Sequence, residues 1–529
     1  MLRDPKELRS AVRHEGGISR RLFFSCMASV AALPLFSECA SASSRHITFQ
    51  KDPFTLGVAS GDPDHTGFVL WTRLAPEPLN PDGGMPNERV DVEWELAEDE
   101  AMKNIVQSGK VAAIPLLGHS VHIEVTGLKP DRWYWYRFRS GNATSPTGRA
   151  RTLPEPGSNP SQLNFAFASC QHYEAGYFTA YERMAQDELD LVFHLGDYIY
   201  EGPGREGNVR RHIGRKLFTL GDYRVRHSQY RSDPLLQRMH ARCPWFVTWD
   251  DHEFENNYAA DISERRDADP AEFLIQRTNA YQAYYEMMPL RRRSIPRGPD
   301  LLLYRKASFG NLAELFVLDT RQYRTDQPNN DRRSELNAAA LSPENTLLGA
   351  KQREWLQAGL KKSPGRWNVL AQQVMMGMVD RAAGDATGYS MDQWPGYAQE
   401  RMALMQFCAD RKVANPVVLT GDIHSNWVND LRVDDRKPET PIIGTEFVGT
   451  SITSGGNGTD KPAALDRLLA ENPGVRFHNQ QRGYVRCTVT PGNWRTDYIV
   501  VEEVQKPGGK IVNRASFVVE AGKPGAKSA

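Results

Sequence analysis

Neither sign of charge is in excess: 65 Lys and Arg stand against 65 Asp and Glu, giving a formal charge of zero and a pI near 7.2. Such a balance argues against a protein held to nucleic acid by bulk electrostatics, and no nucleic-acid partner is expected. Cysteine is scarce, six in 529 residues. Cys170, Cys243, Cys408 and Cys487 show no clustered spacing, which excludes a disulfide scaffold. The 42 Gly and 33 Pro are ordinary numbers, so the chain is neither fibrous nor collagen-like. What is present is a large apolar stock: 11 Trp, 19 Tyr and 21 Phe demand burial. The length supports a sizeable core and fits two domains better than one.

Residues 1–42 read as an address rather than as structure. Arg3, Lys6, Arg9 and Arg13 precede Ser19-Arg20-Arg21-Leu22-Phe23-Phe24. An apolar run too short to span a bilayer comfortably follows, and then Ala40-Ser41-Ala42, a small-x-small cleavage pattern. The paired arginines resemble a twin-arginine export signal. That implies the twin-arginine translocase as a partner during export, cleavage after about Ala42, and a periplasmic or secreted product. Glu38 before Cys39 spoils a lipobox.

From residue 50 to 153 the hydrophobic period is two. Val90, Val92, Trp94 and Leu96 alternate with polar residues, as do Val121, Ile123 and Val125, and Tyr134, Tyr136 and Phe138. Short strands without helical intervals predict a small all-β sandwich. Leu128-Lys129-Pro130 with Tyr134 is similar to the tyrosine corner of fibronectin-III-like domains. A Pro-rich linker at 154–160 leads into an α/β domain at 161–505, where short apolar strands alternate with helical stretches. Residues 506–529, rich in Lys, Gly and Ala, are expected to be a C-terminal tail.

The chemistry lies where apolar runs stop. Leu163–Ala168 runs into Ser169-Cys170, and Leu191–Leu195 into Gly196-Asp197-Tyr198-Ile199-Tyr200-Glu201. Trp245–Trp249 ends in Asp250-Asp251-His252-Glu253, Phe316–Leu318 in Asp319-Thr320-Arg321, and Val369–Ala371 in Gln372-Gln373. Val417–Leu419 ends in Thr420-Gly421-Asp422-Ile423-His424-Ser425. Ligand sites of open α/β sheets sit at the carboxyl ends of strands, so these termini are expected to converge. Carboxylates suit hard cations, imidazole suits transition metals, and thiolate or phenolate favours ferric iron. The Gly-Asp-x-x-Tyr spacing lets Asp197 and Tyr200 reach one ion, and an Asp carboxylate can bridge two.

These ordered motifs resemble those of the PhoD-type alkaline phosphatases. Asp222-Tyr223-Arg224-Val225-Arg226, Leu318–Arg324 and Gln393-Trp394-Pro395-Gly396-Tyr397 support the likeness. The resemblance implies an α/β (α+β) calcineurin-like metallophosphoesterase core, layered sheets flanked by helices, behind the fibronectin-III-like sandwich. It implies iron (Fe3+) held by Cys170, Asp197, Tyr200 and His424. Asp197 would bridge to calcium (Ca2+), held also by Asp251 and Asp422. The Gly-Asp-x-x-Tyr element is similar to that of purple acid phosphatases. Asp251-His252-Glu253, where those enzymes carry Asn-His-Glu, places the chain with the calcium-using group.

The implied activity is alkaline phosphohydrolysis of monoesters or diesters by a metal-activated hydroxide. His252 is the candidate to contact phosphate or protonate the leaving oxygen. Arg226, with Arg205, Arg210, Arg211, Arg215, Lys216 and Arg224, is expected to line the mouth for a small or polymeric phosphate ester. Alternatives are a phospholipase-D-like or teichoic-acid phosphodiesterase and, from another class, an inert cell-surface binding protein. Taken singly, Cys170 could be a buried hydrophobe, Tyr200 a core aromatic, His252 or His424 a satisfied core histidine, and Asp251 or Asp422 a helix cap. The same residues falling together, in order, at strand ends is what singles them out.

Overall fold

The structure is a computed structural model that describes residues 47–529. The export segment expected at 1–42 lies outside the described residues. The first part of the chain forms β1 (Val58–Gly61), β2 (Phe68–Arg73), β3 (Val90–Ala97), β4 (Ile105–Ala113), β5 (Ser120–Val125), β6 (Trp133–Ser140), β7 (Ala143–Thr144) and β8 (Gly148–Arg151). Then come β9 (Leu163–Ala168), α1 (Thr179–Met184), β10 (Leu191–His194), α2 (Leu220–Arg231), α3 (Pro234–His240), β11 (Trp245–Val247) and α4 (Pro270–Met287). Next are β12 (Arg305–Phe309), β13 (Ala313–Val317), α5 (Gly349–Lys362), β14 (Trp367–Ala371), α6 (Ala398–Asp410) and β15 (Pro416–Thr420). The chain ends with β16 (Asn426–Leu431), β17 (Gly444–Val448), α7 (Leu465–Glu471), β18 (Val475–Asn479), β19 (Arg482–Val489), β20 (Asn493–Val501), β21 (Ile511–Glu520) and β22 (Lys523–Ser528).

The apolar runs are continuous because both faces of their strands are covered. Phe165, Phe193, Phe246, Val369, Leu419 and Phe447 point inward and form one core between two sheets. Their neighbours point outward: Ala166, Val192 and Trp245 pack under α1–α4, and Phe316, Leu370 and Val418 under α5 and α6. The result is helices, sheet, sheet, helices. Each fully buried large apolar side chain contributes about 1.5–3 kcal/mol to holding these layers together.

One sheet has ten strands in the order β22-β21-β20-β19-β9-β10-β11-β1-β2-β5, and the other seven, β12-β13-β14-β15-β17-β16-β18. Strands β9, β10 and β11 run parallel, as do β13, β14, β15 and β17. Their carboxyl ends meet along one edge, where the bridge Ser169↔Ser451 ties sheet to sheet.

The N-terminal sandwich is present, with Phe68, Val92, Val121, Tyr136 and Phe138 in its core. The Tyr134 hydroxyl accepts from the Lys129 amide at 3.1 Å, which makes the tyrosine corner. The seam differs from expectation. Strands β1, β2 and β5 belong to the ten-stranded sheet through the parallel pair Gly61↔Trp245, and only β3, β4, β6, β7 and β8 form a separate sheet. The expected tail is also corrected: within 506–529, β21 pairs along β20 from Ile511 to Glu520, and β22 closes that edge. The reason is period two again, since Phe517 and Val519 enter the core between the sheets.

Candidate metal centre

Four expected ligand residues share an uncommon backbone. Cys170 (φ 56°), Asp197 (φ 55°), Asp422 (φ 62°) and His424 (φ 53°) are all left-handed, a conformation that costs a non-glycine residue energy and concentrates at functional sites. Each follows the end of a buried strand, so the chain turns sharply and presents its side chain at the sheet edge. Gly196 makes the turn before Asp197 at φ +109°, and an added Cβ would lie 2.4 Å from that of Asp250. Glu253 locks the neighbouring turns. Its carboxylate accepts from the amides of Asp197 at 3.0 Å, Tyr198 at 2.6 Å and Asp250 at 2.9 Å. Burial and the nearby Asp197 push this carboxyl up to about 8.

The side chains then converge. Donor atoms of Cys170, Asp197 and His424 lie within 4.8 Å of one another, as do those of Asp197, Asp251 and His252, and those of Asp250, Asp251 and Asp422. Asp197 and Asp251 are shared, so the three groups are contiguous. The Tyr200 hydroxyl lies 2.8 Å from Asp197 Oδ2, 3.2 Å from His424 Nε2 and 2.6 Å from Ser454 Oγ. All six expected ligands, Cys170, Asp197, Tyr200, Asp251, Asp422 and His424, are therefore gathered in one crevice.

This donor set fits cations. Asp250 Oδ2 and Asp251 Oδ1 are buried and lack a hydrogen-bond partner, which is costly for carboxylate oxygens away from water. Burial and the Asp197 charge push the Cys170 thiol well above its ordinary value, and burial, opposed by Arg321, lifts Asp422 to about 7. Bound positive charge relieves both penalties. A soft thiol with imidazole and phenol stands on one side and carboxylates alone on the other, a division between softer and harder donors.

Arg321 is the fixed cation of the site. Its fully buried guanidinium donates to Asp250, to both Asp392 oxygens at 2.8 and 3.1 Å, and to Asp422 at 3.1 Å, with Asp251 at 3.8 Å. Gln393 holds the other Asp422 oxygen at 2.6 Å, and the Asn257 amide holds Asp251 at 2.7 Å. His252 pairs through Nδ1 with Glu201 at 2.7 Å, and its ring lies 4.2 Å from that of Tyr200. Burial opposes its charge, but Glu201, Asp251 and Asp197 together raise its pKa well above the ordinary value.

Arg226 does not face substrate. It is fully buried and donates to the carbonyls of Tyr200 and Gly202, bracing the Tyr200 loop. Most of the Arg-rich stretch is likewise spent on structure: Arg224 pairs with Glu286, Arg210 with Asp233 and Arg215 with Asp222. Its cations found acids within the fold.

Sequence reasoning missed Ser454, Glu201 and Asp392. Ser454 follows β17, a buried strand running into Gly449-Thr450-Ser451, and so carried the same signal as the other strand ends. Glu201 directly follows Tyr200. Asp392 belongs to no strand end, and only its contact with Arg321 marks it.

Two packed sheets delivering thiol, phenol, imidazole and carboxylate groups to one edge define an α/β protein built around a candidate metal centre. Residues 165–498 match the PhoD-like phosphatase family, and residues 38–154 match the N-terminal domain of PhoD-like phosphatases. Alkaline phosphatase D of Bacillus subtilis (strain 168) is 53% identical over 482 residues, covering 90% of this chain and 82% of that protein. A solved structure of PhoD superposes with a TM-score of 0.90 at 52% identity, over 91% of this chain and 93% of that one. The chain belongs to the PhoD-like phosphatase family.

Proposed function

We propose that this protein is a metal-dependent phosphoric ester hydrolase. In this reading iron is held by Cys170, Asp197, Tyr200 and His424, and calcium by Asp197, Asp251 and Asp422. The observation that carries it is a chain of shared carboxylates: Asp197 links the Cys170–His424 group to Asp251 and His252, and Asp251 links that group to Asp250 and Asp422, an arrangement suited to two ions of different hardness. When bound, the ions supply Lewis acidity and an activated water for in-line displacement at phosphorus. The chain's own residues orient that chemistry. Glu253 and Gly196 hold Asp197 and Asp250 in place, and Arg321 with Gln393 fixes the Asp422 carboxylate. Glu201 engages His252 Nδ1, which leaves Nε2 to pass a proton to the departing oxygen. Export through the twin-arginine route, suggested by residues 1–42, places the enzyme outside the cytoplasm.

Metal analysis and a visible spectrum of the folded, exported protein test the assignment. The expected result is bound iron and calcium and a phenolate-to-iron absorption band that Tyr200→Phe abolishes. An active enzyme that is colourless and iron-free would overturn it. Relative rates on p-nitrophenyl phosphate and its bis-ester assign monoester or diester preference, and a chain inert towards both with metals supplied is a binding protein instead.

A further inference from the structure

A second charged site lies deep beneath the centre, where the sandwich meets the catalytic layers. Arg231, at the end of α2, is fully buried, and no carboxylate lies within ion-pair distance of it among the described residues. Its Nε and Nη2 atoms have no hydrogen-bond partner, and its Nη1 reaches only the Tyr198 hydroxyl at 3.4 Å. The guanidinium lies over the Trp71 indole at 4.2 Å, which offsets some charge but accepts no hydrogen bond.

The surroundings add imidazole and indole nitrogens rather than acid. Trp245 Nε1, His240 Nδ1 and both ring nitrogens of His227 and His194 are buried and unpartnered. They form one neighbourhood. His240 stacks on Trp245 with centroids 3.8 Å apart and meets the Tyr198 hydroxyl at 2.9 Å. The rings of His194 and His227 lie 5.0 and 6.3 Å from that of Tyr198. Asp233 and Glu286 are engaged elsewhere: Asp233 pairs with Arg210 and caps α3, and Glu286 pairs with Arg224. Burial, with Arg231 adding to it, holds His227 and His240 neutral, far below the ordinary imidazole value. Arg73 and Arg226 also act on His227, and their donors are largely occupied by carbonyl oxygens and the Ser228 hydroxyl. Each neutral imidazole brings one N–H and one acceptor nitrogen, so the donors here are the guanidinium, the Trp245 N–H and one N–H from each of His227 and His194. With no acid to receive the guanidinium, this is an expensive arrangement unless an anion completes it.

We propose that Arg231, with Trp245 and His227, binds a small monovalent anion of the halide class, chloride under ordinary conditions. A spherical anion accepts hydrogen bonds from any direction, which suits donors arriving from α2, β11 and the Tyr198 loop. The site is separate from the metal centre and does not depend on the metal assignment. Its role is to join the sandwich to the catalytic layers by neutralising a cation between them.

Crystals of the whole protein grown in sodium bromide test this directly. An anomalous peak at hydrogen-bond distance from Arg231 Nε and Nη2 is expected, and density there without anomalous signal, meaning water, overturns the proposal. In solution, exchanging gluconate for chloride at constant ionic strength should raise the melting temperature by roughly 2–4 °C and saturate. Arg231→Met should abolish that dependence. If the variant does not fold, the wild-type titration still decides: a linear or absent response refutes the site.

Discussion

Replacing Arg321 by Met puts the electrostatic account of the metal centre at risk. One buried guanidinium serves Asp250, Asp392 and Asp422 at hydrogen-bond distance and Asp251 just beyond it. Removing one partner of a buried pair costs about 3–5 kcal/mol because the other charge is left uncompensated. Here the stranded charges are several, so the upper end applies, and melting should fall by roughly 5–10 °C. Bound cations replace part of the lost charge, so the fall should be larger in metal-stripped than in metal-loaded protein. Arg321→Lys keeps the charge but not the fork and should lie between the two. Scanning calorimetry of both forms measures this. If Arg321→Met melts within about 1 °C of the parent in both states, the carboxylates are not held by that guanidinium.

Glu201→Gln should leave iron content unchanged and lower the hydrolysis rate by roughly 100-fold, the usual range for an impaired proton donor; an unaltered rate would remove His252 from the reaction. Gly196→Ala forces a Cβ to within 2.5 Å of the Asp250 amide nitrogen in a left-handed turn. About 3 kcal/mol of stability should be lost, and a urea midpoint equal to the parent's would contradict the turn geometry. Deleting residues 506–529 strips β21 and β22 from β20, so aggregation or an early melt is expected; a soluble, equally stable product would mean that the pairing is dispensable.

The ligands were legible because a buried parallel strand is apolar on both faces and its first polar residues must emerge at the sheet edge. Cys170, Asp197, Asp251 and Asp422 all follow that rule, and Ser454 would have been found by applying it to β17. Arg226 was not legible, since a run of arginines reads alike whether it faces solvent, a phosphate or backbone carbonyls. The C-terminal strands were hidden by composition. Pro524 and Gly525 in β22 look like a loop but suit an edge strand, where a missing N–H is tolerated. The seam of the sandwich was hidden more deeply, because the apolar run Phe68–Trp71 of β2 says that both faces are buried but not which neighbour supplies the hydrogen bonds.

That seam bears on how the molecule moves. A module attached by a flexible linker can swing, whereas this one is tied at Gly61 and Trp245 into the same sheet as β10 and β11. Whatever rests on the outer surface of the five-stranded layer is thereby kept at a constant remove from Asp251. The N-terminal strands thus act as an outrigger of the same sheet, and cutting them away would leave a raw β11 margin directly below the loop that carries that aspartate.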